Sequence, residues 1–277
     1  MLYKMVFFFT FATMFTTPKW LERTELLVKK EPLEKLNNTN VLLVGLGGVG
    51  SFAAEFLVRA GIGKLTIVDG DIVDITNINR QLPALTSSVG ESKAEYMKAR
   101  LLDINPNLEL VAINQFLNPD ETTDLVNQYD YDYVMDCIDS ITPKVYLIKA
   151  AKNKGCKIIS SMGAGGKIDS MKLKYADISR THMCPFAYYI HKRLRKEEIY
   201  SGVMTVFSEE QPNSESIKLT DGSNFKTSFY GTISYIPALF GLHMASWVVR
   251  DVSGTFELTP LCIPRNEKRM RRNNNNA

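Results

Sequence analysis

Short apolar runs alternate with longer amphipathic segments between residues 40 and 161. The apolar runs predict strands at 41–45, 64–69, 109–114, 133–136 and 157–161. The segments between them predict helices at 49–59, 93–103, 120–128 and 144–154. Strands that alternate with helices are typical of a parallel sheet covered on both faces. The sequence therefore predicts an α/β fold with a Rossmann-like, mostly parallel sheet.

The pattern changes after about residue 165. Residues 167–175 alternate apolar and polar positions, which predicts a half-buried strand. A helix is predicted at 185–196, a strand at 203–207, and a long mobile loop over the polar residues 208–229. Residues 230–249 are mostly apolar but contain glycine, proline and histidine, so we expect a buried core helix, with membrane insertion as the alternative.

The two ends of the chain differ from its middle. Residues 5–15 form an apolar run that is too short to span a bilayer as a helix, and no small-residue cleavage site follows it. A basic run at 265–272 precedes four asparagines. We expect an unstructured or tether-like extension at 1–19, a folded domain at 20–254 and a basic, asparagine-rich tail at 255–277. The expected location is cytoplasmic, with membrane association or organelle targeting through 1–19 or 230–249 as the alternative.

Composition narrows the class of protein. The 277 residues are 45% hydrophobic and 23% charged, as in ordinary folded domains. The four cysteines form no Cys-x-x-Cys pair, which argues against a disulfide framework and a paired-cysteine zinc site. Net charge is +3, and the basic tail accounts for that excess. Because the body is close to neutral, nucleic-acid binding would need a local basic patch.

A glycine-rich turn follows the first predicted strand. Its glycines are Gly45, Gly47, Gly48 and Gly50. Glycines let backbone N–H groups approach a phosphate, and the N-terminus of the next helix adds a partial positive charge. Asp69 ends the second strand, where a carboxylate can hold ribose hydroxyls. These features predict a nucleotide site without choosing between NAD and ATP.

The residues that follow favour ATP. Polar and charged side chains cluster after the second strand, at Asp71, Asn77, Asn79, Arg80, Gln81 and Lys93. A guanidinium, an ammonium and amides suit a triphosphate, whereas a dinucleotide dehydrogenase has no evident use for them. Asp139 follows the strand at 133–136, at the carboxyl edge of the predicted sheet. A carboxylate there can hold a magnesium ion that bridges phosphates.

The runs GLGGVG, DGDIVDITNINRQ and DCIDS, with Lys93, resemble the adenylation domain of the superfamily of ThiF, MoeB and the ubiquitin-activating enzymes. The resemblance implies transfer of AMP from ATP to a carboxylate, with release of pyrophosphate. It assigns the ribose to Asp69, the phosphates to Asn79, Arg80 and Lys93, and magnesium to Asp139. It also implies a homodimer, in which Arg23 reaches the ATP of the partner subunit. The nucleotide-binding core would span about 38–165, and the substrate part about 166–254.

Four later segments resemble the tRNA threonylcarbamoyladenosine dehydratases: SSMGAGGKID, RTHMCPFAYYIHKRLRK, VFSEEQP and GTISYIPALFGLHMA. This resemblance implies ATP-dependent cyclisation of the threonylcarbamoyl group on the adenosine next to the anticodon. The implied ligands are ATP, Mg²⁺ and the modified tRNA, with no structural zinc and with a sulfur-acceptor or cysteine-desulfurase system as a further partner. The chain departs from the family at Lys29 and Lys30, where we expect a glycine-containing turn.

The substrate part contains two candidate contact regions for tRNA. The first is the glycine turn after the strand at 157–161, made of Gly163, Gly165, Gly166 and Lys167. The second is a basic patch made of Arg180, Lys192, Arg193, Arg195 and Lys196. Tyr188 and Tyr189 are interleaved with the patch and could stack on unpaired bases. The alternatives are an ordinary turn and an ordinary basic amphipathic helix whose stripe of Phe186, Ile190 and Leu194 faces the core.

Cys184 has no evident base nearby in sequence, so a packed thiol is favoured over a nucleophile.

Three other functions stay open from the residues. The missing zinc cysteines argue against an activator of a ubiquitin-like or sulfur-carrier protein. The retained carboxylates, amides and cations argue against an inactive RNA- or partner-binding scaffold. An NAD oxidoreductase is the weakest alternative.

Overall fold

The computed structural model describes residues 15–219 and 228–257. Within them a seven-stranded sheet has the order β3-β2-β1-β4-β5-β7-β6. Its strands are β1 (Asn40–Val44), β2 (Lys64–Val68), β3 (Glu109–Ile113), β4 (Tyr133–Asp136), β5 (Lys157–Ser161), β6 (Leu173–Asp177) and β7 (Met204–Ser208). All neighbours are parallel except β6, which runs antiparallel to β7 at one edge. The predicted mostly parallel α/β fold is confirmed.

Helices cover both faces of this sheet. They are α1 (Glu22–Val28), α2 (Lys30–Asn38), α3 (Gly50–Ala60), α4 (Lys93–Ile104), α5 (Pro119–Gln128), α6 (Ile141–Lys154), α7 (Pro185–Leu194) and α8 (Tyr235–Val252). The strand β1 shows why two layers form. Val41 and Leu43 pack into one core with α2, α3, α4 and α8, whereas Leu42 and Val44 pack into the other with α5, α6 and α7. Alternate side chains of a strand point to opposite faces, so an all-apolar strand requires cover on both.

The sheet order reverses between β1 and β4. From β1 the chain runs outward to β2 and β3, and then returns to place β4 on the other side of β1. Such a reversal opens a crevice at the carboxyl ends of the two strands, where α/β proteins bind ligands. The glycine turn follows β1, and residues 137–140 follow β4, so both predicted nucleotide segments border this crevice.

The apolar stretch at 230–249 contributes most of α8, which packs against α3. A Cβ on Gly241 would overlap the carbonyl oxygen of Val49, so the two backbones approach too closely for any side chain there. Ile236, Phe240 and Met244 are fully buried on the same helix. Among the helices of the described residues, none is both long and apolar enough to cross a membrane.

A charged cluster joins α3 to α4 on this face. The Glu55 carboxylate accepts hydrogen bonds from Arg59 Nε at 2.8 Å and from Arg100 Nε at 2.6 Å. Burial raises the pKa of Glu55, but the two guanidinium groups outweigh burial and hold it below its usual 4.5.

Two predictions after residue 165 were wrong in detail. The strand predicted at 167–175 is displaced to β6, because residues 170–172 form a 3-10 turn capped by Asp169. The predicted loop at 208–229 contains two short antiparallel strands, β8 (Ile217–Leu219) and β9 (Ser228–Tyr230). Most of the predicted N-terminal extension and of the C-terminal tail lies outside the described residues.

Candidate active site

The glycine turn after β1 is tightly packed on all sides but one. Gly45 has a φ of 95°, and a Cβ there would lie 2.9 Å from the carbonyl oxygen of Cys137. A Cβ on Gly50 would overlap the Gly45 carbonyl oxygen, and one on Gly48 would lie 3.0 Å from Pro237. Of these four glycines, Gly47 alone has room for a Cβ, because the nearest atom would lie 3.7 Å away. The backbone at Gly47 therefore borders open space, as a phosphate-binding turn requires.

Asp69 ties the end of β2 to this turn. Its carboxylate accepts hydrogen bonds from Leu46 N at 2.6 Å and from Asp71 N at 2.8 Å. Burial raises the pKa of the Asp69 carboxyl, and the nearby Lys93 ammonium opposes that rise. Because an ionised carboxylate has about four lone-pair positions, two can still accept from ribose hydroxyls.

Lys93 is the first residue of α4 and forms an ion pair with Asp71. Its Nζ lies 2.9 Å from Asp71 Oδ2, and the two side chains are 5% and 46% exposed. The backbone pairs as well, since Lys93 N donates to Asp71 O at 3.1 Å. The structure thus brings a nearly buried ammonium beside Asp69 although 24 positions separate the two residues in sequence.

Arg80 lies between the turn and the end of β4. Its Nη1 donates to Thr76 O at 3.0 Å and to Asn79 Oδ1 at 2.9 Å. Burial lowers the pKa of Arg80, and the Asp139 carboxylate opposes that shift. The electrostatic influence of Asp139 indicates that the segments after β2 and after β4 lie near each other.

The three predicted amides have different surroundings. Asn77 is buried and its Oδ1 accepts from Asp74 N at 3.2 Å, so it caps a 3-10 turn. Asn79 Nδ2 donates to the carbonyl oxygen of Thr232 at 2.9 Å, which joins the nucleotide half to the later half of the chain. Gln81 lies beside Gly47, and within the described part of the chain its buried Oε1 has no hydrogen-bond partner.

An ion pair beneath the crevice was missed from the sequence. Lys144 Nζ lies 2.6 Å from Asp136 Oδ2, and neither side chain is exposed at all. Ser160 Oγ also donates to Asp136 Oδ2 at 2.6 Å, and Lys144 donates to Ser161 O at 3.0 Å. Ile138 N donates to the other Asp136 oxygen, so the network holds the segment that leads to Asp139.

The signal for this pair is the position of Lys144 along α6. Leu147, Ile148 and Ala151 follow it at spacings of three, four and seven, and all are fully buried. A lysine on the apolar stripe of a helix predicts a buried cation, which in turn requires an anion.

The turn after β5 is fixed against the later half of the chain. Gly166 N donates to Gly231 O at 2.8 Å, and Asn213 N donates to Gly166 O at 2.8 Å. Gly166 has a φ of 71°, and a Cβ at Gly165 would lie 2.8 Å from Tyr230. Lys167 is buried here and donates to Gly163 O at 2.8 Å, and burial lowers its pKa.

Four residues of the basic patch lie on α7 and the 3-10 turn that follows it, whereas Arg180 ends a 3-10 turn that precedes α7. Ile190 and Leu194 are fully buried and Phe186 is half-buried, which confirms the predicted core stripe. The five basic residues of the patch are exposed, as are Tyr188 and Tyr189. On α7, Tyr188 and Lys192, and likewise Tyr189 and Arg193, are four positions apart, so exposed aromatic rings and cations neighbour each other along the helix.

Two further candidates remain, Cys184 beside the turn after β5 and Arg23 on α1. Cys184 is buried at the N-terminus of α7, 3.7 Å from where a Gly163 Cβ would lie. Arg23 is exposed on α1, the helix that also exposes Leu26 and Leu27. Apolar side chains beside Arg23 are typical of an interface.

Residues 21–276 match the family model described as the ThiF family. The chain belongs to the ThiF family. It is 42% identical over 252 residues to a tRNA threonylcarbamoyladenosine dehydratase of Bacillus subtilis, covering 85% of this chain and 95% of that protein. A Haemophilus influenzae protein of the same name is 34% identical over 233 residues, which cover 80% of this chain and 89% of that protein.

The fold matches a solved member of the family as well. The Escherichia coli tRNA N6-threonylcarbamoyladenosine dehydratase in complex with ATP superposes with a TM-score of 0.75 at 32% identity. The match covers 84% of this chain and 93% of that one. The resemblance drawn from the four later sequence segments is therefore confirmed.

Proposed function

We propose that this protein is an ATP-dependent tRNA threonylcarbamoyladenosine dehydratase. It cyclises the threonylcarbamoyl group on the adenosine next to the anticodon, in the cytoplasm, where ATP and tRNA are both available. The observation that carries the proposal is the hydrogen bond from Asn79 to Thr232. This bond joins the residues predicted to bind the triphosphate to the segments that resemble the dehydratases. One crevice would therefore bind both ATP and the acyl group. The similarity of 85% of the chain to a dehydratase favours this function over carrier-protein activation and over a scaffold.

The first step activates a carboxylate, which is otherwise a poor electrophile. A carboxylate oxygen of the threonylcarbamoyl group attacks the α-phosphorus of ATP. The new O–P bond forms as the bond to the β-phosphate bridging oxygen breaks, and that electron pair leaves with pyrophosphate. Arg80, Lys93 and the backbone N–H groups near Gly47 stabilise the charge that develops on the phosphates.

The second step closes the ring. The carbamoyl oxygen or nitrogen attacks the activated carbonyl carbon, AMP leaves with the electron pair of the broken C–O bond, and the N–H proton is lost to solvent. An attack within one group gains from proximity and needs no covalent enzyme intermediate. The buried position of Cys184 agrees with a reaction that uses no nucleophilic thiol.

Magnesium fits this site through its phosphate ligands. Among the described residues no group of three or more His, Cys, Asp or Glu could hold a metal ion. A magnesium ion bound to phosphates needs only one or two protein carboxylates, and Asp139 beside Arg80 would supply one. When bound, the ion would neutralise part of the triphosphate charge.

The exposed patch on α7 would bind the tRNA. Lys192, Arg193, Arg195 and Lys196 would neutralise backbone phosphates, and Tyr188 and Tyr189 would stack on anticodon-loop bases. Phosphate contacts of this kind weaken as salt concentration rises, so tRNA affinity should fall steeply with ionic strength.

Dimer formation would complete the nucleotide site. Arg23 would reach the ATP of a second copy across an interface that includes Leu26 and Leu27. Ile72 and Ile75, next to the phosphate cluster, are also exposed apolar residues suited to such a contact. If sedimentation experiments show a monomer, the role proposed for Arg23 is refuted.

The experiment that tests the function measures AMP and pyrophosphate released from ATP and magnesium. Threonylcarbamoylated tRNA and unmodified tRNA are compared, and the nucleosides are analysed by mass spectrometry. We expect AMP and loss of one water only with the modified tRNA. Arg80→Ala should abolish AMP formation and leave tRNA binding largely intact. Absence of AMP with the modified tRNA would refute the proposal.

A further inference from the structure

A cavity of about 600 Å³ lies beside the predicted phosphate cluster. Its walls come from the turn at 166–168, the segment at 210–216 and residues 231–234. Asn79 lines it from the nucleotide half, one residue before Arg80. The cavity therefore connects the ATP crevice with the turn after β5, and its volume suits a group the size of a threonylcarbamoyl moiety.

Lys167 is the cation among the described residues that line this cavity. It lines the wall, yet only 3% of the residue is exposed. Within the described residues its ammonium makes one hydrogen bond, to the Gly163 carbonyl oxygen at 2.8 Å. An ammonium has three donors, and a buried charge is costly unless an anion pairs with it.

Among the described residues that line the cavity, the one carboxylate is already engaged. Glu210 accepts hydrogen bonds from Ile168 N at 3.0 Å and from Asp169 N at 2.8 Å. Burial is the main effect on the Lys167 ammonium and lowers its pKa, and the nearby Cys184 and then Glu210 oppose that shift electrostatically. The ammonium therefore has donors left for an anion that enters the cavity from outside the protein.

The reaction supplies two anions that must meet. Arg80 and Lys93 are the cations near the glycine turn, where the phosphates are expected. Lys167 lies after β5, across the cavity from Asn79. A separate cation on that side can hold a second anion against the repulsion of the triphosphate.

We propose that Lys167 binds the carboxylate of the threonylcarbamoyl group in this cavity and presents one of its oxygens to the α-phosphate of ATP. This inference rests on the proposed function and assigns the acyl-binding side of the same site. The role differs from phosphate binding, because Lys167 acts on the tRNA substrate and leaves ATP affinity unchanged.

The test compares Lys167→Met and Lys167→Arg with Lys172→Met, a matched change at an exposed lysine on the 3-10 turn five residues later. Three quantities are measured for each: kcat/KM for threonylcarbamoylated tRNA, the Kd for ATP, and the melting temperature. Hydrogen bonds to a charged group predict a loss of about 10- to 150-fold in kcat/KM for Lys167→Met. The Kd for ATP should change less than about twofold, Lys167→Arg should retain more activity, and Lys172→Met should match the wild type.

Each other outcome overturns the inference in a distinct way. Equal kcat/KM for Lys167→Met and Lys172→Met would show that Lys167 does not bind the substrate. A matching loss in ATP affinity would assign the ammonium to the phosphates. If Lys167→Met does not fold, Lys167→Gln replaces it and the same criteria apply. A wild-type protein that releases no AMP with modified tRNA would instead refute the proposed function, and the inference with it.

Discussion

Replacing Lys144 with methionine removes the cation from a pair that is shielded from water on every side. The ammonium donates to Asp136 Oδ2 at 2.6 Å, to Ser160 Oγ at 3.2 Å and to Ser161 O at 3.0 Å. Methionine is similar in length to the lysine stem, so little cavity forms. What remains is a buried carboxylate without its counter-charge.

The size of the effect follows from that uncompensated charge. Breaking a fully buried ion pair by removing one partner typically costs about 3–5 kcal/mol, against a total stability of about 5–15 kcal/mol. For a domain of this size, each kcal/mol lowers the melting temperature by about 2–4 °C. We therefore expect Lys144→Met to melt about 6–20 °C below the wild type.

The assay is equilibrium urea unfolding followed by circular dichroism, with thermal melting beside it. Lys149→Met is the matched control, because Lys149 lies on the same helix and pairs with Glu197 at 2.7 Å at the surface. Exposed pairs contribute about 0–1 kcal/mol, so this control should lose little. The double variant Asp136→Asn/Lys144→Met should recover at least half of the loss, since it leaves no unpaired charge.

Two results would refute the reasoning. One is a loss in Lys144→Met no larger than that in Lys149→Met. The other is a double variant as unstable as Lys144→Met, which would trace the loss to packing or to the serine contacts and not to the charge.

Three further predictions use features of the same structure. Lys29 has a φ of 75° and a ψ of 166° between α1 and α2, a conformation suited to glycine. Lys29→Gly should therefore raise the free energy of unfolding by about 1 kcal/mol, while Lys30→Gly should not; equal effects in urea unfolding would contradict this. Gly50→Ala should lower stability by about 1–3 kcal/mol through overpacking, whereas Gly47→Ala should fold normally and weaken ATP binding in a titration. The pKa of Glu55 is held below 4.5, so its pairing with two arginines stabilises the protein above that pH and is lost as pH falls through the lowered value. When the pH falls below 4.5, the free energy of unfolding should therefore decrease less for Glu55→Gln than for the wild type. Equal decreases in the two proteins would contradict this prediction.

The nucleotide half was predictable because its chemistry lies in consecutive residues. The turn from Gly45 to Gly50 and the segment from Asp69 to Gln81 each follow a strand, and parallel strands bring such segments to one edge. Even the departure at Lys29 was visible, since the expected glycine turn coincides with the positive φ found there.

The substrate half was harder to predict because its contacts are distant in sequence. The strand β6 pairs with β7, and α7 lies between the two strands in the sequence. The residues 167–177 alone do not show that the strand begins at Leu173 and not at Lys167. Lys144 and Asp136 are eight positions apart, but their pairing depends on α6 folding back over β4. The cavity around Lys167 forms only when the segments near 213 and 231 close on the turn after β5.

The close packing of α8 on α3 has a consequence for protein synthesis. The face of α3 that Gly241 contacts is made early, but its cover begins at Tyr235, 175 positions after α3 ends. At about 5–20 residues per second, the ribosome leaves that apolar face uncovered for roughly 9–35 s. During this interval the uncovered face of α3 can bind chaperones or aggregate. The yield of folded protein therefore depends on how quickly α8 leaves the exit tunnel.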